Sequence, residues 1–244
     1  VEAAPLGMGE LSGRPLAIDA HNTLYMFVSS IRTADGSPLL DFKGRPVSHL
    51  KGLLSRTSRL VSRGIKPVFV FDGRPHPLKS RVISLRRERK EKAMEAYGKA
   101  LEEGALETAG TKARQTSRLT GDMLRQSRQL LDAMGVPWVE APGEGEALAS
   151  AMARDGKVWA ASSQDYDSLL FGAPLLVRNL AFSGRRKLPG RRAWVSVEPE
   201  MIRLDDALES LGLTREQLVD LAILVGTDFN EGVRGVGPKT ALKL

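Results

Sequence analysis

Short apolar runs recur along the 244-residue chain, each followed by a polar turn and a stretch with helical spacing: RPLAIDA (14–20), KPVFVFD (66–72), VPWVEAP (136–142), KVWAASSQD (157–165) and PLLVRNLA (174–181). Runs this short and this continuously apolar read as strands covered on both faces, the pattern of a parallel sheet. Between and after them, apolar positions recur at helical period over 46–63, 79–103, 119–134, 144–154 and 214–225, and a helix follows the first strand. Such alternation predicts an α/β fold with a mostly parallel central sheet flanked by helices. The whole of 1–244 reads as one domain, with no internal repeat and no low-complexity tract.

Residues 74–118 interrupt the alternation. They open with RPHPLKSRVISLRRERKEK (74–92), where eight Lys and Arg face two Glu for a net +6, pass through LEEGALETAG and end in a second basic stretch. The segment predicts a basic helical insertion between two strands. A solvated helix held by pairs such as Glu88 and Lys92 at i,i+4 is the alternative reading.

Charge and composition narrow the partners. The chain carries +7 at neutral pH with a pI near 9.8, so it favours polyanions such as nucleic acid. It has no cysteine and only His21, His49 and His76, which excludes disulfides, thiolate zinc sites and a cysteine nucleophile. A metal would have to be held by oxygen. No apolar run approaches the roughly 20 residues of a membrane span, and Val1 opens no signal or transit peptide. The expectation is an intracellular protein with no membrane contact.

Against this basic background, seven carboxylates stand at the ends of elements. Asp19 and Asp72 end strongly apolar strands, Glu144 and Glu146 follow VPWVEAPG, Asp165 and Asp167 follow VWAASSQ, and Asp228 follows the apolar segment LVDLAILVGT. In open parallel sheets, sites form beyond the carboxyl ends of strands, so acids placed there converge. The i,i+2 spacing of Glu144/Glu146 and of Asp165/Asp167 puts each pair on turning or extended backbone. Like charges about 4 Å apart repel by about 4 kcal/mol at an effective dielectric near 20, so the cluster needs counter-charge. All-oxygen ligation selects hard cations such as Mg2+, with Mn2+ able to substitute. Two ions about 3.5–4 Å apart would activate a water nucleophile and stabilise both the attacking and leaving oxygens of a phosphodiester.

The blocks IDAHNTLYMF, VFVFDGRPHPLKSR, EAPGEGEALAS, SSQDYDSLLFG and LVGTDFNEGVRGVGPKTA, in this order and spacing, resemble the structure-specific 5′ flap endonucleases, most closely the archaeal type. The resemblance runs over essentially the whole chain and implies the PIN-like 5′-nuclease fold. It implies that Asp19, Asp72, Glu144, Glu146, Asp165, Asp167 and Asp228 form a two-metal site. Lys79 and Arg86 match a helix-borne pair that reaches over the scissile phosphate, and 74–118 becomes a helical arch. Tyr25 matches a tyrosine that stacks on a base at the junction; a core aromatic beside Leu24 and Phe27 is its plainer reading. Residues 214–244 match a helix-hairpin that grips duplex DNA through Arg234, Gly235, Gly237 and Lys239. Gly232 stands where many relatives carry Ser near a monovalent-cation site, which leaves K+ in the hairpin open.

The family opens on Met-Gly ahead of the first strand and continues past the hairpin to a tail that recruits the sliding clamp, so the resemblance implies that both ends are trimmed here. It further implies a monomer that cuts 5′ flaps near the junction with duplex during DNA replication and repair. A 5′ to 3′ exonuclease or junction-cutting nuclease of the same fold, and a non-catalytic nucleic-acid adaptor, are the alternatives.

Overall fold

The computed structural model describes residues 2–33, 37–102, 117–182, 184–187 and 194–244. Its centre is a seven-stranded sheet. The strands are β1 (Ala4–Pro5), β2 (Pro15–Asp19), β3 (Lys66–Phe71), β4 (Trp138–Glu140), β5 (Ala160–Ser162), β6 (Leu175–Arg178) and β9 (Glu200–Arg203), in the order β1-β9-β6-β5-β2-β3-β4. Strands β2 to β6 pair in parallel, while β9 runs antiparallel to both β6 and β1. The five apolar runs read from the sequence are these five parallel strands. A separate antiparallel ribbon joins β7 (Gly184–Lys187) to β8 (Trp194–Val197).

The helices are α1 (Ala20–Ser30), α2 (Ser48–Val61), α3 (Ser80–Glu102), α4 (Gly121–Ala133), α5 (Gly145–Arg154), α6 (Asp167–Leu170), α7 (Leu204–Leu211), α8 (Arg215–Val225) and α9 (Pro238–Ala241). Local chemistry sets their starts. The Asp19 carboxylate accepts the Asn22 N–H to cap α1, Thr120 caps α4, and Thr214 with Gln217 forms a reciprocal capping box on α8. Pro238 at the first position opens α9.

Side-chain size divides the two faces of the sheet. Leu16 and Ile18 of β2 and Phe69 and Phe71 of β3 face one side, where they join Leu24, Phe27, Leu53, Leu60 and Leu131 in the main core. Burying each of these side chains contributes about 1.5–3 kcal/mol. On the other face Ala17, Val70 and Ala161 meet Ala149 and Ala153 of α5. Small residues on both partners let α5 lie close on the sheet, which brings its N-terminus to the carboxyl ends of β2 and β3.

β2 has β3 on one side and β5 on the other, so the chain reverses its direction of travel across the sheet at β2. A crevice therefore opens beyond the carboxyl ends of these strands. The expected insertion begins as the single 3₁₀ turn Pro77–Lys79 and continues as the 23-residue α3. Residues 103–116 of the 74–118 segment lie outside the described residues. No helix among the described residues is long and apolar enough to cross a membrane.

Candidate active site

Asp19, Asp72, Glu144, Glu146, Asp165, Asp167 and Asp228 all line one cleft of about 940 Å3, together with His21, Asn22, Tyr25, Lys79 and Arg86. Acids from segments more than 200 residues apart in sequence are thus brought to one place at the carboxyl edge of the sheet.

Each carboxylate is positioned by a specific element. Asp19 is the last residue of β2 and the cap of α1; Asp72 follows β3 directly. Asp72 Oδ1 accepts the Gly145 N–H at 2.7 Å, which ties the end of β3 to the start of α5. A Cβ at Gly145 would stand 2.8 Å from that oxygen, so glycine permits the approach. Glu144 is the residue before α5 and Glu146 lies in its first turn. The expectation of extended or turning backbone therefore holds for Glu144 but not for Glu146. The helix start gathers both acids where its dipole and free N–H groups favour negative charge. Asp165 lies in the turn after β5, and Asp167 begins α6, a second helix start rather than an extended segment.

Protein donors occupy these carboxylates. Glu146 Oε1 accepts from the Ser168 N–H at 3.1 Å and the Ser168 hydroxyl at 2.6 Å, and Asp165 Oδ2 accepts from Asn22 Nδ2 at 2.8 Å. Lys79 Nζ lies 2.6 Å from Glu144 and 3.6 Å from Asp228, and Arg86 Nη2 donates to Asp228 at 2.7 Å. Lys79 ends the 3₁₀ turn opened by Pro77, which runs directly into α3, where Arg86 lies. Its ammonium also sits 4.7 Å from the centre of the Phe229 ring. Among the described residues, no three acidic or histidine side chains are gathered about one point as an ion's ligands.

The negative charge is nonetheless in excess. Burial, with the Asp72 and Asp165 charges adding to it, pushes Asp19 up to about 7. Burial likewise pushes Glu146 up to about 8, with Asp19, Asp165 and Asp167 reinforcing it against the Ser168 hydrogen bond. Asp167 is raised by burial and then by Asp165 and Asp228. Crowded, partly buried oxygen donors whose charges repel one another fit a site for hard divalent ions.

These raised values have a testable sign. Near pH 7 the folded state keeps protons on Asp19 and Glu146 that the unfolded chain has released, so stability falls as pH rises through about 7 and 8. His21 and His49 are both lowered by burial, and their effect lies below their ordinary 6.5. Chelator-treated protein should therefore melt at progressively lower temperature as pH rises from 6.5 to about 8. Added Mg2+ should raise the melting temperature more at the alkaline end, and a flat profile would contradict the assignment.

His21, one of the three histidines, belongs to the site. Its Nδ1 accepts the Asp72 N–H at 3.0 Å, and its ring meets Phe71 edge-on. Nothing in the spacing of the motifs distinguishes it; only the pairing of β2 with β3 brings it beside Asp72. Tyr25 is 36% exposed and lines the cleft, with Lys90 Nζ 5.2 Å from its ring centre. The core position is filled by Leu24 and Phe27 instead.

The hairpin lies apart. Arg234, Gly235 and Gly237 are exposed in the α8–α9 connection and Lys239 in α9, and none of them lines the acidic cleft. Gly232 has φ +69°, and a Cβ there would come 2.5 Å from the Val225 carbonyl. The turn is closed by backbone packing at the position where a serine hydroxyl would stand. Arg81 of α3 pairs with Glu231 of this turn.

Comparison with known proteins identifies the lineage. The XPG N-terminal domain matches residues 3–93, and the XPG I-region matches 135–228. The flap endonuclease 1 of Aeropyrum pernix is 58% identical over 235 residues, covering 96% of this chain and 67% of that protein. The solved flap endonuclease-1 from Methanococcus jannaschii superposes with a TM-score of 0.75 at 42% identity, over 100% of this chain and 74% of that one. The catalytic core of Rad2 in complex with DNA substrate gives a TM-score of 0.71 at 27% identity, over 99% and 63%. With this fold, this cleft and these relatives, the chain belongs to the flap endonuclease family of metal-dependent, structure-specific nucleases that hydrolyse phosphodiester bonds.

Proposed function

We propose that this chain cuts 5′ flaps near the single-strand/duplex junction, with Asp19, Asp72, Glu144, Glu146, Asp165, Asp167 and Asp228 holding two Mg2+ ions, directly or through water. One observation carries the reading: seven carboxylates from separate segments line a single cleft, faced by five basic side chains between Lys79 and Lys92, Lys79 and Arg86 among them. Divalent ions held there would supply a water nucleophile of lowered pKa and offset charge on the attacking and leaving oxygens. The residues themselves do the rest. Lys79 and Arg86, which pair with Glu144 and Asp228 in the cleft, would turn to the scissile phosphate and stabilise its developing negative charge. Tyr25 offers a ring on which the base beside the cut can stack, worth about 1–3 kcal/mol.

The basic helix α3, within the 74–118 arch, covers the flap, and the 214–244 hairpin grips duplex through Arg234, Gly235, Gly237 and Lys239. Backbone charge supplies the affinity, so binding is independent of sequence and weakens steeply with salt. We further assign the protein, as a monomer of one nuclease domain, to flap removal during replication and repair, intracellular and cytoplasmic in an archaeal cell. We assign sliding-clamp recruitment to the full-length protein, through a C-terminal tail. Gly232 offers no side-chain hydroxyl to a K+ ion in the hairpin.

Cleavage of a 5′-flap substrate and of a blunt duplex in Mg2+ tests this directly. The flap should be cut close to its junction and the duplex left intact; equal cutting of both, or none of the flap, would overturn the reading.

A further inference from the structure

The segment Gln164–Asp165–Tyr166 lies outside any strand, and Asp167 opens a helix of a single turn, yet both aspartates must be held in the cleft. Arg154 and Arg215 secure the far end of that turn through the Phe171 and Leu170 carbonyls, at 3.3 Å each. At the near end stands Arg178, the last residue of β6. Its Nε donates to the Gln164 carbonyl at 3.1 Å, and its Nη1 donates to the Tyr166 hydroxyl at 2.6 Å. The guanidinium also lies 4.3 Å from the Tyr166 ring centre. One side chain thus holds the residues on both sides of Asp165.

Arg178 is itself braced. It pairs across the antiparallel β6–β9 register with Glu200, whose Oε1 receives Nη1 at 2.9 Å and Asn179 Nδ2 at 3.1 Å. Asn179 is the one non-glycine residue with positive φ among the described residues, at 59°; Asn tolerates that region better than most residues. The side-chain exposures of Arg178 and Glu200 are 20% and 28%, so the pair is only modestly hydrated. Arg178 does not line the acidic cleft, so it acts on the aspartates through their backbone.

We propose that Arg178, braced by Glu200, is a positioning residue for the nuclease reaction: it sets the Gln164–Tyr166 backbone from which Asp165 and Asp167 reach the cleft, and so sets the affinity for divalent cations. This rests on the reading of those two aspartates as metal ligands. The role needs a planar fork that reaches a carbonyl and a hydroxyl while stacking on a ring, and a lysine supplies only a point charge.

Mn2+ binding to the DNA-free protein, read from the electron paramagnetic resonance signal of free Mn2+, tests the proposal alongside cleavage over a Mg2+ titration. Arg178→Gln and Arg178→Lys should each weaken Mn2+ binding by about 10–100-fold, the usual loss when a ligand's support is removed. Cleavage should recover at high Mg2+, and flap affinity in Ca2+ should be unchanged. Tyr166→Phe, which keeps the ring and removes one hydrogen bond, should shift Mn2+ binding a few-fold in the same direction and keeps the test alive should Arg178→Gln fail to fold. Wild-type Mn2+ affinity in the folded Arg178 variants, with only the melting temperature lowered, would overturn the proposal. Asp165→Ala separates the two ideas: if it too binds Mn2+ as wild type, the ligand reading falls and the brace with it; if it loses binding while Arg178→Gln keeps it, the brace alone is wrong.

Discussion

Asp165→Ala and Asp228→Ala are each expected to reduce flap cleavage on the order of 10³-fold or more while leaving flap binding largely intact, since the loss falls on the chemical step. Asp165 sits in the turn after β5, beside the end of β2, where its neighbours are the crowded Asp19, Glu146 and Asp167. Asp228 reaches the same cleft from the α8–α9 turn and holds Arg86 and Lys79. Neither acid attracts a polyanion, so removing one relieves repulsion toward DNA even as it weakens cation binding. Single-turnover rates and a binding isotherm in Ca2+ on the same variants separate the two effects. Asp228→Asn extends the test, because the amide keeps an acceptor for Arg86 and loses the charge. It should fall nearly as far as Asp228→Ala if charge is what matters.

Lys79→Ala should lower the single-turnover rate by about 10²–10³-fold, the magnitude typical of one lost transition-state donor, with little change in flap affinity. The ammonium is half-enclosed by Glu144, Asp228 and the Phe229 ring, so it is already aimed into the cleft before substrate arrives. A cation placed this way gains most when negative charge grows on the phosphoryl oxygens, and ground-state binding draws mainly on the many other basic residues of α3. If the variant altered only the dissociation constant, Lys79 would be one more phosphate contact.

Much of this was legible in the chain itself, for physical reasons that differ between elements. The parallel strands β2 to β6 announce themselves as short continuous apolar runs because both of their faces are covered. The long helices match their periodic segments to within a few residues. β1 and β9 escape such a reading: Ala4–Pro5 is a two-residue exposed edge, and EMIR carries too little apolar pattern to stand out. The acids were visible because charge at the end of an apolar strand is costly unless it is used. Their backbone setting was not, since i,i+2 spacing fits a helix start as well as an extended segment, and Glu146 and Asp167 took the helix starts. His21 and Arg178 gain their partners, Asp72 and Gln164–Tyr166, only through strand pairing and a returning turn, contacts that no local pattern encodes.

The most direct trial of the central claim is diffraction from crystals soaked in Mn2+, measured where the ion scatters anomalously. Two peaks within the cleft bounded by Asp19, Asp72, Glu144, Glu146, Asp165, Asp167 and Asp228 are expected, with Lys79 turned away from Glu144. Peaks confined to other surfaces, with Glu144 and Asp228 still bonded to Lys79 and Arg86 at saturating Mn2+, would contradict the account.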